Sequence, residues 1–536
     1  MVARALIVSL ALTACPAPEG PADDGWPEMD TRDLLIRASL DLRGVRPTID
    51  EYDRIEEDPT AIDDLIDDFI ADPRFGDRMA DAYAEVFLTR TEIWSVSAQT
   101  YGADITQADF VQSIGDEVPQ MVAHIAREDL PFTELVIGDW TMANPALSQI
   151  WPVEPVNLGW QKSRYTDGRP RAGVLATNSL WWRYGSTQSN ANRKRANAVS
   201  RVFLCQDYLH RPISFDRNVN LLDEGAVEDA LRTDPGCVNC HVALDPLAGY
   251  FYGFWYYNDN LAAEVTHYHP ERELLWEDRT GVAPAFYGEP GYGLEDLGWQ
   301  LAADNRLVTC AVETVTEQFL RRETGLDDTS DLVEHREAFL NGDLTLRALA
   351  RSVVDSETYR AGRTDDPRAV PTKLVTPDLL HDQITDLTGF RWTLAGGLDA
   401  LGSEQVGFQT LAGGADGTFV TQSATRPNAT LMLVHARLAE AAADYVVRAD
   451  LADPDNAKLL TEVDGTETID TDRDAMVRQI QFLHLRIFGT RIAADGDEVA
   501  ANLGLWQDLH DVQDDPERAW VGVITALLRD PNLLLY

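Results

Sequence analysis

The chain has 536 residues, more than one hydrophobic core holds, which predicts about two to four domains. Its 44% hydrophobic and 25% charged residues are typical of a folded, water-soluble protein. The formal charge of −44 excludes nucleic acid as a partner, because binding to phosphates requires a basic surface. The acidity either only maintains solubility or attracts a cationic partner, and the sequence leaves both open.

The N-terminus has the pattern of a bacterial lipoprotein signal. Arg4 precedes an apolar run at residues 5–12, and the small residue Ala14 precedes Cys15. We therefore predict a signal peptide at 1–14, lipidation of Cys15 and an extended Pro-rich tether at 15–30. An ordinary signal peptide with an incidental cysteine is the alternative. The mature protein is expected in the bacterial cell envelope, lipid-anchored on the periplasmic or outer-surface side. No later segment approaches the roughly 20 apolar residues that span a bilayer.

The remaining chain predicts a mainly α, multidomain helical scaffold with a loop-rich region around residues 245–300. Apolar residues recur three times at the helical spacing i, i+3, i+4, i+7, i+8. These runs lie at residues 62–70, 346–354 and 520–528, and each is followed by an apolar residue just past the helix stop: Phe75, Tyr359 and Leu533. We predict an N-terminal helical domain at 31–200, a central domain at 201–361 that a helical module closes, and a C-terminal helical domain at 371–536.

The central domain contains one Cys-x-x-Cys-His motif, formed by Cys237, Cys240 and His241. This spacing is typical of c-type haem attachment, in which two thiols form thioether bonds and the histidine binds the iron. A redox disulfide and half of a zinc site are the alternatives. A structural zinc needs about four ligands, and the other cysteines are single and distant in sequence. A thioredoxin-like site would require a βαβ context, which is missing.

The second axial ligand of such a haem is open. No methionine lies between His241 and Met432, so a methionine close downstream is excluded. His267 and His269 are the nearest downstream imidazoles, and Met142 and His210 are upstream candidates. An empty sixth position would favour an enzyme. Aromatic residues at 250–257 either pack around the haem as an apolar pocket or belong to the core.

Two cysteines, Cys205 and Cys310, are left after the lipid and haem assignments. In an oxidising compartment, an even pair predicts a disulfide. Two buried free thiols are the alternative.

Several stretches resemble the planctomycete-cytochrome-type exported proteins, large multidomain proteins of unknown function built around a single CxxCH motif. The resemblance covers roughly residues 30–360. It is carried by the segments at 40–48 (LDLRGVRPT), 72–76 (DPRFG), 171–175 (RAGVL), 203–205 (FLC), 240–241 with 244–247 (CH and LDPL), and by Cys310 with 346–359. Over 370–536 the similarity is limited to a helix–Gly–helix module, which contains Gly489 and the apolar run at 520–528.

The resemblance implies a bacterial exported protein with one haem c and its iron, and a redox role at the cell surface or in the periplasm. It supplies no substrate. The leading hypothesis is a lipid-anchored electron-transfer protein that serves an unidentified redox partner protein. The alternatives are a haem enzyme with an open distal site, peroxidase-like, and a structural or binding lipoprotein without haem, in which Cys237 and Cys240 form a disulfide.

Overall fold

Helices form most of the regular structure, as the sequence predicts. The computed structural model describes residues 26–92, 94, 97–187, 190–211, 219–220, 222–254, 262–366, 368–395 and 397–536. The predicted signal peptide, Cys15 and most of the tether lie outside these ranges. Among the described helices, none combines the length and the apolar character that crossing a membrane requires.

The described residues contain 23 α-helices and four short strands. Those before the CxxCH region are α1 (Thr31–Arg43), α2 (Ile49–Glu57), α3 (Ala61–Ala71), α4 (Arg74–Phe87), α5 (Gln107–Arg127), α6 (Glu134–Ile137), α7 (Leu147–Ile150), α8 (Asn178–Arg183) and α9 (Arg193–Leu204). The central helices are α10 (Glu224–Thr233), α11 (Pro235–Ala248), α12 (Ala262–Thr266), α13 (Leu275–Thr280), α14 (Leu294–Ala303), α15 (Asn305–Leu320), α16 (Thr329–Asn341), α17 (Leu346–Asp355) and α18 (Glu357–Arg360). The C-terminal helices are α19 (Pro377–Thr388), α20 (Ala429–Ala452), α21 (Arg473–Phe488), α22 (Asp497–Gln513) and α23 (Pro516–Leu528).

The strands form two small antiparallel hairpin-like pairs. The first joins β1 (Thr141–Ala143) to β2 (Gln161–Ser163), and the second joins β3 (Ala285–Phe286) to β4 (Glu289–Pro290). The second pair and the short helices α12 to α14 lie where the sequence predicts loops. This central region is therefore more regular than expected.

Local sequence signals set the ends of the first helices. Helix α1 ends at Gly44, whose φ of 75° is left-handed and whose backbone N–H donates to the Leu40 carbonyl. Glycine adopts this conformation without steric cost, which allows the chain to turn. Helix α2 then begins with a capping box, in which the Thr48 and Glu51 side chains accept from each other's backbone N–H groups.

The three predicted apolar repeats are confirmed as core-facing helices. All the predicted apolar positions of α3, α17 and α23 are buried. The residues just past each stop, Phe75, Tyr359 and Leu533, are fully buried as well. Helix α3 packs against α1 and α17, whereas α23 packs against α20 and α22. The repeats are thus packing modules.

A buried charge network joins the first helix to the C-terminal segment. The Asp41 carboxylate accepts hydrogen bonds from the hydroxyls of Tyr359 (2.6 Å) and Tyr536 (2.9 Å) and contacts the Lys373 ammonium. Lys373 also donates to the Phe319 carbonyl at 3.0 Å. Burial, opposed by Asp41, lowers the pKa of Lys373 to about 7. Segments that the sequence assigns to three domains therefore meet at one carboxylate.

The predicted disulfide is confirmed. Cys205, at the end of α9, is bonded to Cys310 in α15, with a Cα–Cα distance of 5.3 Å. The bond closes a loop of 105 residues that contains the CxxCH helix α11. It therefore restricts the unfolded chain on both sides of the candidate site.

Replacing both Cys205 and Cys310 by serine should lower the free energy of unfolding by about 2 to 4 kcal/mol, because the unfolded chain regains the entropy of an open loop. Urea denaturation followed by circular dichroism measures the change. Wild-type protein treated with a thiol reductant is the control and should match the variant. A variant as stable as the oxidised wild type would contradict the account.

A buried carboxyl on α5 makes stability depend on pH. Glu117 is fully buried and accepts hydrogen bonds from the hydroxyls of Tyr165 and Thr141, both at 2.7 Å, and from the Ser179 N–H at 3.1 Å. Burial, partly offset by these bonds, raises the pKa of Glu117 to about 7. The folded chain therefore retains a proton that the unfolded chain has already lost.

Wild type should lose stability relative to Glu117→Gln as the pH rises from about 4.5 to about 7. The sign follows because the folded state binds more protons than the unfolded state in that window. Across this pH window, the difference in the free energy of unfolding between the two proteins should change by about 3 kcal/mol, because each unit of pKa shift corresponds to about 1.36 kcal/mol. Denaturation of both proteins at several pH values measures it, and a difference that stays constant with pH would contradict the assignment.

Candidate functional site

The CxxCH motif lies in the first two turns of α11. Asp234 caps this helix, since its carboxylate accepts from the backbone N–H groups of Gly236 (2.8 Å) and Cys237 (3.3 Å). Helical geometry places residues i, i+3 and i+4 on one face. Cys237, Cys240 and His241 therefore share a face of α11, and all three side chains are partly exposed.

Both thiols of the motif are free, whereas Cys205 and Cys310 are bonded. Cys240 packs against the hydrophobic core. Partial burial and the neighbouring Asp234 carboxylate raise the pKa of the Cys237 thiol. Reactive cysteines of disulfide oxidoreductases usually have pKa values shifted in the opposite direction, below that of a free thiol.

The imidazole of His241 is oriented by a carboxylate on its own helix. Its Nδ1 lies 2.9 Å from Asp245 Oδ1, one helical turn further along. Asp245 also accepts from Arg193 of α9, at 2.6 Å from Nε and 3.3 Å from Nη2. Burial opposes ionisation, but the hydrogen bonds from His241 and Arg193 hold the pKa of Asp245 below its usual value.

This arrangement fixes which nitrogen of His241 is available. An ionised carboxylate only accepts, so Nδ1 carries the proton that it donates to Asp245. In the neutral imidazole, Nε2 is then left with its lone pair. Histidines that bind metals usually have such a partner on the second nitrogen, which orients the ring and raises the basicity of the ligating atom.

A buried aromatic layer packs against α11. Helix α11 packs against α9, α10, β3 and the 3-10 segment Gly249–Phe254 that follows it. The fully buried Arg195 donates to the carbonyl of Phe254 at 2.9 Å, and the Trp181 ring lies 4.6 Å from that of Phe251. Residues 250–254 of the predicted aromatic run are thus core, and residues 255–257 lie outside the described ranges.

The predicted distal ligands lie in different surroundings. His269 lies between two carboxylates, with Nε2 at 3.2 Å from Glu264 and Nδ1 at 3.3 Å from Glu271. His267 is exposed. Of the upstream candidates, Met142 is buried in β1, and the His210 side chain is 87% exposed.

Sequence reasoning named Cys237, Cys240 and His241 but missed the orienting role of Asp245 and Arg193. The four-residue spacing of His241 and Asp245 within one helix was a usable signal. No sequence signal indicated Arg193, because it lies on another helix, 52 residues before Asp245.

The side chains of the motif are of the types that a covalently attached haem requires. Within the described ranges, no three His, Cys, Asp or Glu side chains are grouped as metal ligands. Two thiols and an imidazole with a free Nε2 on one helix face match the attachment requirements of haem c. The adjacent Val242 side chain is 67% exposed, which leaves apolar surface next to the motif.

Comparison with known proteins gives one match. Residues 24–138, which contain α1 to α6, match the model of a family described as PSCyt2, protein of unknown function (DUF1549). No curated protein matches the chain, and no solved structure does. The matched segment ends before the CxxCH motif. Over its first six helices, the chain is thus similar to the PSCyt2 family, in agreement with the resemblance expected for this segment.

Proposed function

We propose that this protein is an exported, lipid-anchored c-type cytochrome-like protein that transfers electrons. The observation that carries the proposal is the shared face of Cys237, Cys240 and His241, with Nε2 of His241 left free by the bond from Nδ1 to Asp245. The PSCyt2 match over residues 24–138 agrees with it at the level of the family.

Each residue has a distinct task in this proposal. The Cys237 and Cys240 thiols would hold the haem through thioether bonds, and Nε2 of His241 would bind its iron. Asp245 holds the imidazole in one tautomer and orientation, and Arg193 keeps Asp245 ionised and in place. Haem supplies one-electron redox chemistry when bound.

We further propose that a lipid on Cys15 anchors the mature chain in the cell envelope, where it meets a redox partner protein. The signal pattern and the oxidising environment implied by the Cys205–Cys310 disulfide support export. A Cys15→Ala chain should then move from the membrane fraction to the soluble fraction, and an unchanged distribution would contradict the anchor.

A haem enzyme with an open distal position is the second candidate. It is favoured by the contacts of His269, whose two ring nitrogens already face Glu264 and Glu271. A protein without a sixth ligand could bind peroxide or another small substrate at that position.

Absorption spectroscopy of the purified protein separates these candidates. A six-coordinate, low-spin ferric spectrum supports electron transfer, whereas a high-spin spectrum that shifts on adding cyanide supports the enzyme. His267→Ala and His269→Ala variants identify the distal ligand, because only loss of the true ligand changes the low-spin spectrum. A protein without haem would contradict both candidates.

Replacing Asp245 by asparagine should raise the midpoint potential of the proposed haem by some tens of millivolts. A tenfold change in the equilibrium constant between ferric and ferrous iron corresponds to about 59 mV. The neutral amide makes His241 a weaker electron donor and stabilises ferric iron less. A spectroscopic redox titration measures the shift. Asp229→Asn on the exposed face of α10 changes the charge equally and is the control. If both variants shift the midpoint potential equally, Asp245 acts only through its charge and not by orienting His241.

A further inference from the structure

A cavity of about 320 Å³ lies between α4, α5, α19 and the connection from α19 to α20. Seven carboxylates and only two arginines line it. It joins the segment that matches PSCyt2 to the C-terminal region, for which the haem proposal gives no role. Its volume falls within the range of pockets that bind small molecules, about 300 to 1,000 Å³.

Most of these carboxylates are neutralised within the protein. Arg90 donates to Asp81 at 2.8 Å and to Asp116 at 2.7 Å. Arg391 lies 3.2 Å from Asp399, and Asp77 is paired with Arg127. Such pairs are structural and require no ligand.

Two carboxylates on α19 are not neutralised in this way. The closest cation to Asp378 in an ion pair is Arg90, at 4.0 Å, and the Asp378 side chain is 47% exposed. Asp382 makes no ion pair or hydrogen bond within the described part of the chain. Its burial and the neighbouring Asp81 carboxylate raise the pKa of Asp382. Arg78, His381 and Arg391 act on Asp382 only through space, so neither carboxylate on α19 has a close ion pair within the described part of the chain.

The cavity wall also contains a buried imidazole with one unused nitrogen. His381 is only 4% exposed, and its Nδ1 lies 2.6 Å from Asp399. Its Nε2 is buried and has no hydrogen-bond partner. When the imidazole is neutral and donates from Nδ1 to Asp399, Nε2 is a hydrogen-bond acceptor. A buried acceptor without a hydrogen bond lowers the stability of the folded protein. A hydrogen-bond donor from a ligand would remove this penalty.

The three groups lie on one face of α19. Asp378, His381 and Asp382 have the spacing i, i+3, i+4 and all line the cavity. With a neutral imidazole and ionised carboxylates, they offer hydrogen-bond acceptors and negative charge. A matching ligand therefore needs several N–H donors and a positive charge. A metal ion fits less well, because no three ligating side chains are grouped in the described ranges.

We propose that this cavity binds a small organic cation through its guanidinium or primary ammonium group, held by Asp378, Asp382 and Nε2 of His381. This would be a function separate from haem attachment. It also gives part of the acidity of the chain a specific purpose, as a cationic partner was one of the two explanations that the sequence left open.

Butylguanidinium and its uncharged analogue butylurea form a matched pair of probes for calorimetric titration of the full mature chain. The proposal expects butylguanidinium to bind one site and butylurea to bind at least about tenfold more weakly. Equal binding of both, or no binding of butylguanidinium at millimolar concentration, overturns it. Tighter binding of Ca²⁺ or Zn²⁺, with displacement of butylguanidinium, overturns it in favour of a metal site.

Asp382→Asn tests the residue assignment. Binding of butylguanidinium should weaken by about tenfold or more, while the melting temperature without ligand should rise, because an unpaired carboxylate is removed from an acidic cluster. Asp378→Asn is a second variant with the same expectation. Asp508→Asn, on the exposed surface of α22, is the matched control and should change neither property. If Asp382→Asn binds like wild type, or if both α19 variants lower the melting temperature, the carboxylates are structural and the proposal fails.

Discussion

Replacing Asp41 by alanine should lower the free energy of unfolding by about 3 to 5 kcal/mol, since the buried Lys373 must then either lose its proton or stay charged without a counter-ion. Asp41 is 5% exposed and Lys373 2% exposed. The substitution also removes the acceptor for the hydroxyls of Tyr359 and Tyr536. Because these partners come from the central and C-terminal segments, the loss should affect the whole helical assembly. Urea denaturation measures it.

Asp33→Ala is the matched control, on the exposed face of the same helix α1. It should cost well under 1 kcal/mol, as exposed ion pairs contribute little. Adding Lys373→Met to Asp41→Ala should recover part of the loss, since no uncompensated charge then remains in the core. If Asp41→Ala is no more destabilising than Asp33→Ala, the buried network does not hold the segments together.

Replacing Cys237 and Cys240 together by alanine should abolish covalently bound haem completely. The proposal places both thioether bonds on these two sulfurs, and no other thiol lies on the same face of α11. The expected result is a folded protein whose denatured chain gives no haem stain after expression with cytochrome-maturation machinery. Far-UV circular dichroism should be unchanged, because both side chains are only partly buried.

The control for this experiment is the pair Cys205→Ser and Cys310→Ser, which removes two other cysteines of the same chain. This variant should retain the haem stain per folded molecule, although it is less stable. Loss of haem in both variants would indicate a folding defect. Retention of haem in the variant without Cys237 and Cys240 would contradict the attachment site.

The parts of the fold that were predictable from the sequence are those that local spacing determines. The apolar positions of α3, α17 and α23 recur with the helical period, and their burial follows from it. The end of α1 at Gly44 and the capping box of α2 depend on residues within a few positions. The cysteine count and the expected export together predicted the pairing of Cys205 with Cys310.

The parts that were missed depend on residues that are distant in sequence. Helix α13 lies where loops were expected, and its Trp276 packs edge-on against Tyr252 at 5.6 Å, a contact that only the folded chain supplies. In the candidate site, His241 and Asp245 are neighbours on one helix, but Arg193 comes from another. The acidic cavity needs α4, α5 and α19 together, so no single stretch of sequence indicates it.

The mass of the denatured mature protein, produced with cytochrome-maturation machinery, tests the haem proposal most directly. The account predicts a chain heavier by the mass of one haem, with the added mass on the peptide that contains Cys237 and Cys240. A chain without added mass, in which these two cysteines are free thiols or form a disulfide, would contradict it.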